Sequence, residues 1–392
     1  MADVARSNRY HIGVFGRRNS GKSTLVNFLV GQQVSIVSDV PGTTTDVVWK
    51  NIELPGVGAT VIGDTAGYDD SGELGAMRVE KSRQAVARID LALLVLSGSP
   101  VDCAYEKEWQ NIFASANIPL IAVLGKSDLA SDAEEWGRAL SCDVLPVSAV
   151  DGTGIKELLQ RIATCYKQDD NIDDITHSLV QKGDVVLLVM PQDEQAPQGR
   201  LIMPQVQTLR NLLDKHCIPV CCALEELPRL LGALKEPPSL VITDSQVFAQ
   251  VENALPAGTR LTSFSVLMAR HKGDITAFRE GAEKLISLTG NERILIAEAC
   301  AHIPKNEDIG RVKLPRLLRK KFGEKLQIEV VSGNDFPADL TPYDLVIHCG
   351  ACMFTRRHVM SRLRQAKVQG VPVTNYGIAI AALTGILHKI TY

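Results

Sequence analysis

The stretch GRRNSGKS, residues 16–23, fits the pattern G-x-x-x-x-G-K-[ST] without a mismatch. It follows the β-rich run HIGVFG and opens the helical pattern KSTLVNFLVG. Strand, glycine loop and helix in that order are the context a phosphate-cradling loop requires. Glycines such as Gly16 and Gly21 let backbone N–H groups wrap the phosphates, and the helix N-terminus adds a favourable dipole. Lys22 is expected to reach the β- and γ-phosphates, and the Ser23 hydroxyl to hold Mg2+. Asn19, Ser20 and Thr24 complete the binding loop.

Four companions turn this loop towards guanine nucleotides. DTAG, with Asp64 and Gly67 at its ends, closes a strand and brings a carboxylate near Mg2+ and a backbone N–H near the γ-phosphate. PGTTTD supplies Thr44, with Thr43 and Thr45 as rivals, for a loop that closes on Mg2+. GKSD follows the strand pattern IPLIAVL and carries Lys126 and Asp128. The Asp128 carboxylate can accept the N1 and N2 protons of guanine, which adenine lacks. SAVDGTG offers the backbone of Ser148 and Ala149 to the guanine carbonyl. Lys22, Thr44, Asp64 and Gly67 are the catalytic candidates. A chance glycine-rich turn would not come with these companions in this order.

The alternation of strands and helices continues through the chain. HIGVFG, TVIGDT, LALLVLSG, IPLIAVLG and DVLPVSA read as buried strands with helices between most of them, which implies a mostly parallel sheet covered on both faces. A polar stretch, YKQDDNIDDITHS, reads as a linker. DVVLLVM, PVCCAL, SLVITD and TRLTSF form a second α/β pattern with no phosphate loop. RILIAEAC, LQIEVVSG, DLVIHCG and VPVTNYG form a third. The expected fold class is therefore α/β, with three linked α/β units: residues 1–168, 177–264 and 265–392. Cys221 and Cys222, adjacent in a strand, point to opposite faces and are expected to pack in the core.

The charges nearly cancel, 42 Lys and Arg against 45 Asp and Glu, which argues against a chain-wide polyanion-binding role though not against a local basic patch. No secretory signal pattern and no apolar run near the length of a membrane span appears. Nine scattered cysteines are unlike a secreted disulfide scaffold, and a reducing cytoplasm is expected.

Some of those cysteines form a pattern. CAH holds Cys300 and His302, and HCGAC holds His348, Cys349 and Cys352. Both groups fall at strand ends, where open α/β sheets gather ligands, so Cys300 is the expected third thiolate beside the Cys349/Cys352 pair. Soft thiolates select zinc or iron–sulfur clusters. Three readings compete: buried free cysteines, a structural Cys3His zinc site, and a [4Fe–4S] cluster on three cysteines whose fourth iron takes another ligand. Basic residues follow nearby, Arg316, Arg319, Lys320 and Lys321, then Arg356, Arg357, Arg362 and Arg364. Such runs are usually solvated helix faces; the alternative is that they guide an anionic metal fragment or an acidic partner.

On its nucleotide motifs the first domain resembles the small GTPases related to tRNA-modification and ribosome-assembly factors. In that group the guanine motif is N-K-x-D, whereas Gly125 stands here in place of the Asn. The residue after DTAG is Tyr68, not a water-orienting Gln. The resemblance implies that Asn19 helps bind K+, whose charge would sit beside the phosphates.

The thiolate pattern joined to this GTPase domain, together with CAHIPKNEDIGRVKLPR and EQAPQGRLIMPQVQ, resembles the HydF family of GTPase maturases of [FeFe]-hydrogenase. The resemblance implies a [4Fe–4S] cluster on Cys300, Cys349 and Cys352, with a variable fourth ligand that is not Cys. Asp193, His348 and His302 are the candidates for it, and hydrogen bonding to the ligands is an equal alternative for the two histidines. It implies a homodimer formed through the middle domain. It also implies a scaffold that receives a di-iron precursor with CO and cyanide ligands from the radical-SAM maturases HydE and HydG and passes it to the apo-[FeFe]-hydrogenase, with GTP hydrolysed to GDP as a gate. Neither nucleic acid nor membrane is an expected partner. The competing reading, a ribosome-assembly or tRNA-associated GTPase with a structural zinc site, lacks a recognisable RNA-binding module.

Overall fold

The structure, a computed structural model, describes residues 9–31, 47–67, 72–126, 132–167, 174–191, 201–299, 308–333, 335–351 and 354–392. The chain is an α/β protein with three sheets. It divides into two compact units, Met1–Asp170 and Asn171–Tyr392.

In the first unit the strands are β1 (Tyr10–Gly16), β2 (Val48–Leu54), β3 (Gly58–Asp64), β4 (Leu91–Leu96), β5 (Leu120–Leu124) and β6 (Val144–Pro146). The helices are α1 (Lys22–Gly31), α2 (Gly72–Val86), α3 (Ala104–Ser115), α4 (Ala133–Leu140) and α5 (Ile155–Lys167). Sheet order is β2-β3-β1-β4-β5-β6, with β2 antiparallel and the rest parallel. Strands β1 and β4 are buried throughout, as a parallel sheet covered by helices demands. The sequence reading did not anticipate β2. It is an edge strand whose run VWKNIEL is half exposed, so Lys50, Asn51 and Glu53 interrupt the apolar signal.

The second unit holds β7 (Val185–Val189), β8 (Ile218–Cys222), β9 (Leu240–Thr243) and β10 (Leu261–Ser263) in the order β10-β9-β7-β8. Its other sheet holds β11 (Arg293–Glu298), β12 (Gln327–Ser332), β13 (Leu345–His348) and β14 (Val373–Asn375) in the order β12-β11-β13-β14. Both sheets are all-parallel. The helices are α6 (Met203–Asp214), α7 (Leu227–Ala233), α8 (Phe248–Ala254), α9 (Phe264–Lys272), α10 (Ile275–Ile286), α11 (Leu314–Phe322), α12 (Arg356–Val368) and α13 (Tyr376–Leu383).

Side-chain caps fix several of these helix starts. Ser263 caps α9, Asp274 caps α10, Thr355 caps α12 and Asn375 caps α13, each accepting from a first-turn N–H. One hydrophobic core joins the two sheets. Leu187, Val189 and Val241 belong to the same cluster as Ile294, Ile296 and Ile347. Each fully buried aliphatic side chain there contributes about 1.5–3 kcal/mol. Residues 177–264 and 265–392 thus lie within one compact unit. The expectation that Cys221 packs in the core is corrected: β8 is an edge strand, and Cys221 is exposed while Cys222 is half-buried against the core.

Candidate functional site

The phosphate loop leaves β1 at Gly16 and enters α1 at Lys22. Gly16 has a φ of +154°, and a Cβ there would overlap the carbonyl of Val95 on the neighbouring β4. The loop therefore passes so close to the sheet that only glycine fits. Gly21 (φ +100°) and Asn19 (φ +60°) are also left-handed, a conformation that turns successive N–H groups into a nest for anions.

Lys22 is buried, and its Nζ donates to the carbonyls of Gly16 (3.0 Å) and Arg17 (2.8 Å). Those bonds hold the ammonium inside the loop that phosphate oxygens would enter. Arg17 faces away from this centre. Its guanidinium forms a bidentate pair with the buried carboxylate of Glu106 on α3 (2.7 and 2.9 Å), which anchors the loop from behind.

Asp64 ends β3, and its Oδ1 is buried with no hydrogen-bond partner among the described residues. A buried carboxylate oxygen in that state suits a cation. Ser23 is the second residue of α1. Gly67 lies in the segment just beyond β3. Thr43, Thr44, Thr45, Tyr68 and Asp128 lie outside the described residues.

On the base side, Gly125 follows β5, and its N–H donates to Leu96 (2.9 Å). A Cβ at Gly125 would stand 3.0 Å from the carbonyl oxygen of Ser20 and 3.1 Å from Val95 Cγ1. Glycine here thus lets the loop settle against β4 and the phosphate loop. Lys126, the next residue, braces the phosphate loop, its Nζ donating to the carbonyl of Asn19 (2.9 Å). Ser148 is buried, and its hydroxyl accepts from Val150 (3.3 Å) and Asp151 (3.4 Å), shaping the turn that presents Ala149.

The second candidate centre lies at the carboxyl ends of β11 and β13, which are neighbours in register Ala297 to His348. Cys349 follows β13. Its sulfur accepts from the backbone N–H of Ala299 (3.0 Å) and of Ala351 (3.4 Å). N–H groups aimed at a sulfur are the arrangement that supports a thiolate and tunes a cluster bound to it. Cys300, the next residue after Ala299, lies outside the described residues, as do His302, Cys352 and Asp193. Among the described residues no group of three or more metal-binding side chains converges.

His348 is buried, with Nε2 facing the Arg362 guanidinium (3.1 Å) and Nδ1 facing the Cys349 carbonyl (2.9 Å). Burial, then the Arg362 charge, lowers its pKa to about 4, against a smaller opposing effect of the Cys349 carbonyl. The imidazole is therefore neutral, with Arg362 donating to Nε2. Arg362 is itself buried between the rings of Phe336 and Phe354 (4.5 and 4.6 Å to the centroids). Of the basic residues expected on a solvated face, Arg362 is thus internal, and Arg356 is half-buried, its guanidinium donating to the carbonyls of His271 and Gly273.

Sequence reasoning missed a polar group beside Cys349. Glu298, the last residue of β11, is buried and accepts from Arg311 (3.1 Å) and Ser332 (3.2 Å). Arg311 lies in a π-helical turn, Ile309–Lys313, whose start is capped by Asp308. The Tyr376 hydroxyl is buried and has no hydrogen-bond partner among the described residues. Burial raises its pKa strongly, and negative charge on Cys349, Glu298 and Asp308 adds to this. Glu298 was findable as a carboxylate at a strand end, two residues before Cys300. Tyr376 gave no signal, because it reads as one more apolar residue opening α13.

Three family models match the chain. Residues 11–126 match the 50S ribosome-binding GTPase model, 175–273 the hydrogen maturase F dimerization domain, and 276–391 the hydrogen maturase F tetramerization domain. Among curated proteins, the tRNA modification GTPase MnmE of Heliobacterium modesticaldum is 35% identical over 164 residues, covering 41% of this chain and 34% of that protein. MnmE of Acidiphilium cryptum is 39% identical over 149 residues, covering 38% and 31%. The chain spans about a third of the length of these relatives. Among solved structures, the G domain of the T. maritima FeoB iron transporter matches at 21% identity and a TM-score of 0.32, covering 41% of this chain and 99% of that one. Era from Aquifex aeolicus, bound to GDP and AlF4−, matches at 20% and 0.33, covering 57% and 98%. No helix among the described residues is long and apolar enough to cross a membrane. The two hydrogen maturase F models together match more than half of the chain, beside a GTPase domain, and the protein belongs to the hydrogen maturase F family.

Proposed function

We propose that this chain is a GTP-hydrolysing scaffold. It carries a di-iron precursor of the hydrogenase active-site cluster and delivers it to the apo-[FeFe]-hydrogenase, and nucleotide turnover gates partner binding or release. The observation that carries the reading is the Cys349 sulfur, held by the Ala299 N–H at 3.0 Å, one residue before Cys300 in the chain. A thiol so held, at adjacent parallel strand ends and with soft donors close by in sequence, has the chemistry of a cluster ligand.

Cys300, Cys349 and Cys352 would hold a [4Fe–4S] cluster, which when bound supplies an iron with an exchangeable fourth position. Asp193, His302 and His348 remain the candidates there. His348, engaged at both nitrogens by Arg362 and Cys349, is better suited to orienting the loop than to ligation. In the first unit Lys22, the nest at Asn19 to Gly21, and Gly67 would bind the phosphates. Ser23, Thr44 and Asp64 would hold Mg2+, and Asn19 would hold K+. Asp128, Lys126, Ser148 and Ala149 would select guanine. Loss of γ-phosphate contacts then releases the Thr44 and Gly67 segments, the usual order–disorder switch of GTPases. The radical-SAM maturases HydE and HydG would supply the precursor, and homo-oligomerisation would run through the second unit.

The test is anaerobic purification of the full chain and of C300A, C349A and C352A, with iron, zinc and sulfide analysis and low-temperature EPR. Near-stoichiometric iron and sulfide in the wild type, lost in each variant, is the expected result. Zinc without sulfide would replace this reading with the structural-metal alternative.

A further inference from the structure

We propose that Lys272 is the positioning residue of the thiolate loop, holding its backbone in place and setting a positive charge beside the cluster. The proposal rests on the cluster reading above and adds to it a residue from outside the thiolate segment. Lys272 ends α9, is only 4% exposed, and lies far from Cys349 in sequence. Its Nζ donates to the carbonyls of Ala351 (3.0 Å) and Phe354 (2.9 Å), which bracket Cys352 in the chain. The clasp is reciprocal: Arg356 Nη1 donates to the carbonyls of His271 (3.1 Å) and Gly273 (2.9 Å), on either side of Lys272.

Ala351 explains why the loop needs such a clamp. It is buried, not a glycine, and left-handed at φ +52°, a strained state for a residue with a Cβ. That conformation aims its N–H at the Cys349 sulfur (3.4 Å) and its carbonyl at Lys272 (3.0 Å). One peptide segment thus links the buried ammonium to the thiol. Burying an ammonium is expensive unless it is well paired. The carbonyls of Ala351 and Phe354 offset part of that expense, and thiolate charge in the loop would offset more. The ammonium's positive charge would favour the reduced state of a cluster held there, because reduction adds an electron near a fixed cation.

Lys272 lies within the segment matched by the dimerization model, whereas Ala351, Phe354 and Arg356 lie within the tetramerization match. The clasp therefore ties the thiolate loop to a helix of the neighbouring segment.

The test uses full-length protein with K272M, K272Q and K272R substitutions. Three readouts apply: hydrogen–deuterium exchange of peptides spanning residues 349–358 without iron, iron retained after anaerobic reconstitution, and the midpoint potential. K272M and K272Q should exchange at least about tenfold faster in this segment, retain several-fold less iron, and show a more negative potential in what remains. K272R should restore the potential towards wild type, which a purely space-filling role would not do. GTP binding, a property of the first unit, should stay unchanged, and wild-type exchange in β9 and β11 of the second unit serves as the folding control. Wild-type exchange and potential in both K272M and K272Q would overturn the proposal. Wild-type protein without iron would instead overturn the cluster reading, and the exchange result would still decide the positioning role.

Discussion

The backbone N–H of Ala299 lies 3.0 Å from the sulfur of Cys349, bridging the carboxyl ends of two adjacent parallel strands, β11 and β13. The bond is not part of the sheet ladder. It begins one residue past β11 and ends one residue past β13, so the two chain segments that diverge from the sheet are tied together first through a thiol.

The close packing under this site makes a sign-reversing prediction. Gly281 is buried in α10, and a Cβ there would overlap the carbonyl of Val373 on β14. Glycine to alanine in a helix ordinarily gains about 1 kcal/mol. Here the obstacle is backbone, which cannot rotate aside, and overpacking of this kind costs about 1–3 kcal/mol. G281A should lower the Tm of the second unit by several degrees. G232A, on α7 where a Cβ meets nothing within 4 Å, should leave it equal or slightly higher. Calorimetry of both variants decides the matter.

Much of this fold was legible because parallel strands buried on both faces announce themselves as apolar runs. LALLVL became β4 and RILIAE became β11. The half-exposed β2 was not legible, since an edge strand is free to carry Lys50 and Glu53. At the site, the position of Cys349 just past the end of β13 could be read from the apolar run LVIH that precedes it; Cys300 lies outside the described residues. Lys272 could not be read. Its role depends on α9 ending against a loop far along the chain, a tertiary relation with no local pattern. Arg362 was misread for the same reason, because burial between Phe336 and Phe354 is invisible in a basic run.

Lys126 gives a prediction for nucleotide affinity. Its Nζ holds the carbonyl of Asn19 at 2.9 Å and so ties the guanine-side loop to the phosphate loop. A charge-assisted bond at an exposed position is worth about 1 kcal/mol, or roughly fivefold in binding. K126A should weaken GDP affinity by that factor, measured by titration with a fluorescent analogue. An unchanged affinity would mean that the phosphate loop keeps its shape without this brace.

Acid should weaken the turn that precedes β11. Burial of Glu292 opposes its ionisation, but hydrogen bonds from the Thr289 N–H and hydroxyl and from the Gly290 N–H outweigh that and lower its pKa to about 2. The folded value lies below the ordinary 4.5. The stabilisation is therefore complete above about pH 4.5 and lost as pH falls through about 2. Solvent screens this partly exposed carboxylate, so its bonds are worth at most ~1 kcal/mol, and E292Q should melt up to about 2–4 °C below wild type at pH 7 in a unit of this size. The gap should close as pH falls from 4.5 towards 2. A gap that stays constant over that window would rule out the carboxylate charge as its source.

The last prediction concerns Asn19 and the missing water-orienting Gln. Without that side chain, charge developing on the phosphates needs another source of positive potential, and a monovalent cation beside the loop can supply it. Asn19 sits at φ +60° with its carbonyl already held by Lys126, so its side-chain amide is the group left to meet a cation. GTP hydrolysis should be at least about tenfold faster in K+ than in Na+ at equal ionic strength. Asn19→Gly, which tolerates the left-handed backbone and removes only the side chain, should bind GTP nearly as well but hydrolyse it at one rate in both salts. Equal rates for the wild type in K+ and Na+ would remove the cation from the mechanism and leave Lys22 and Mg2+ to carry the charge.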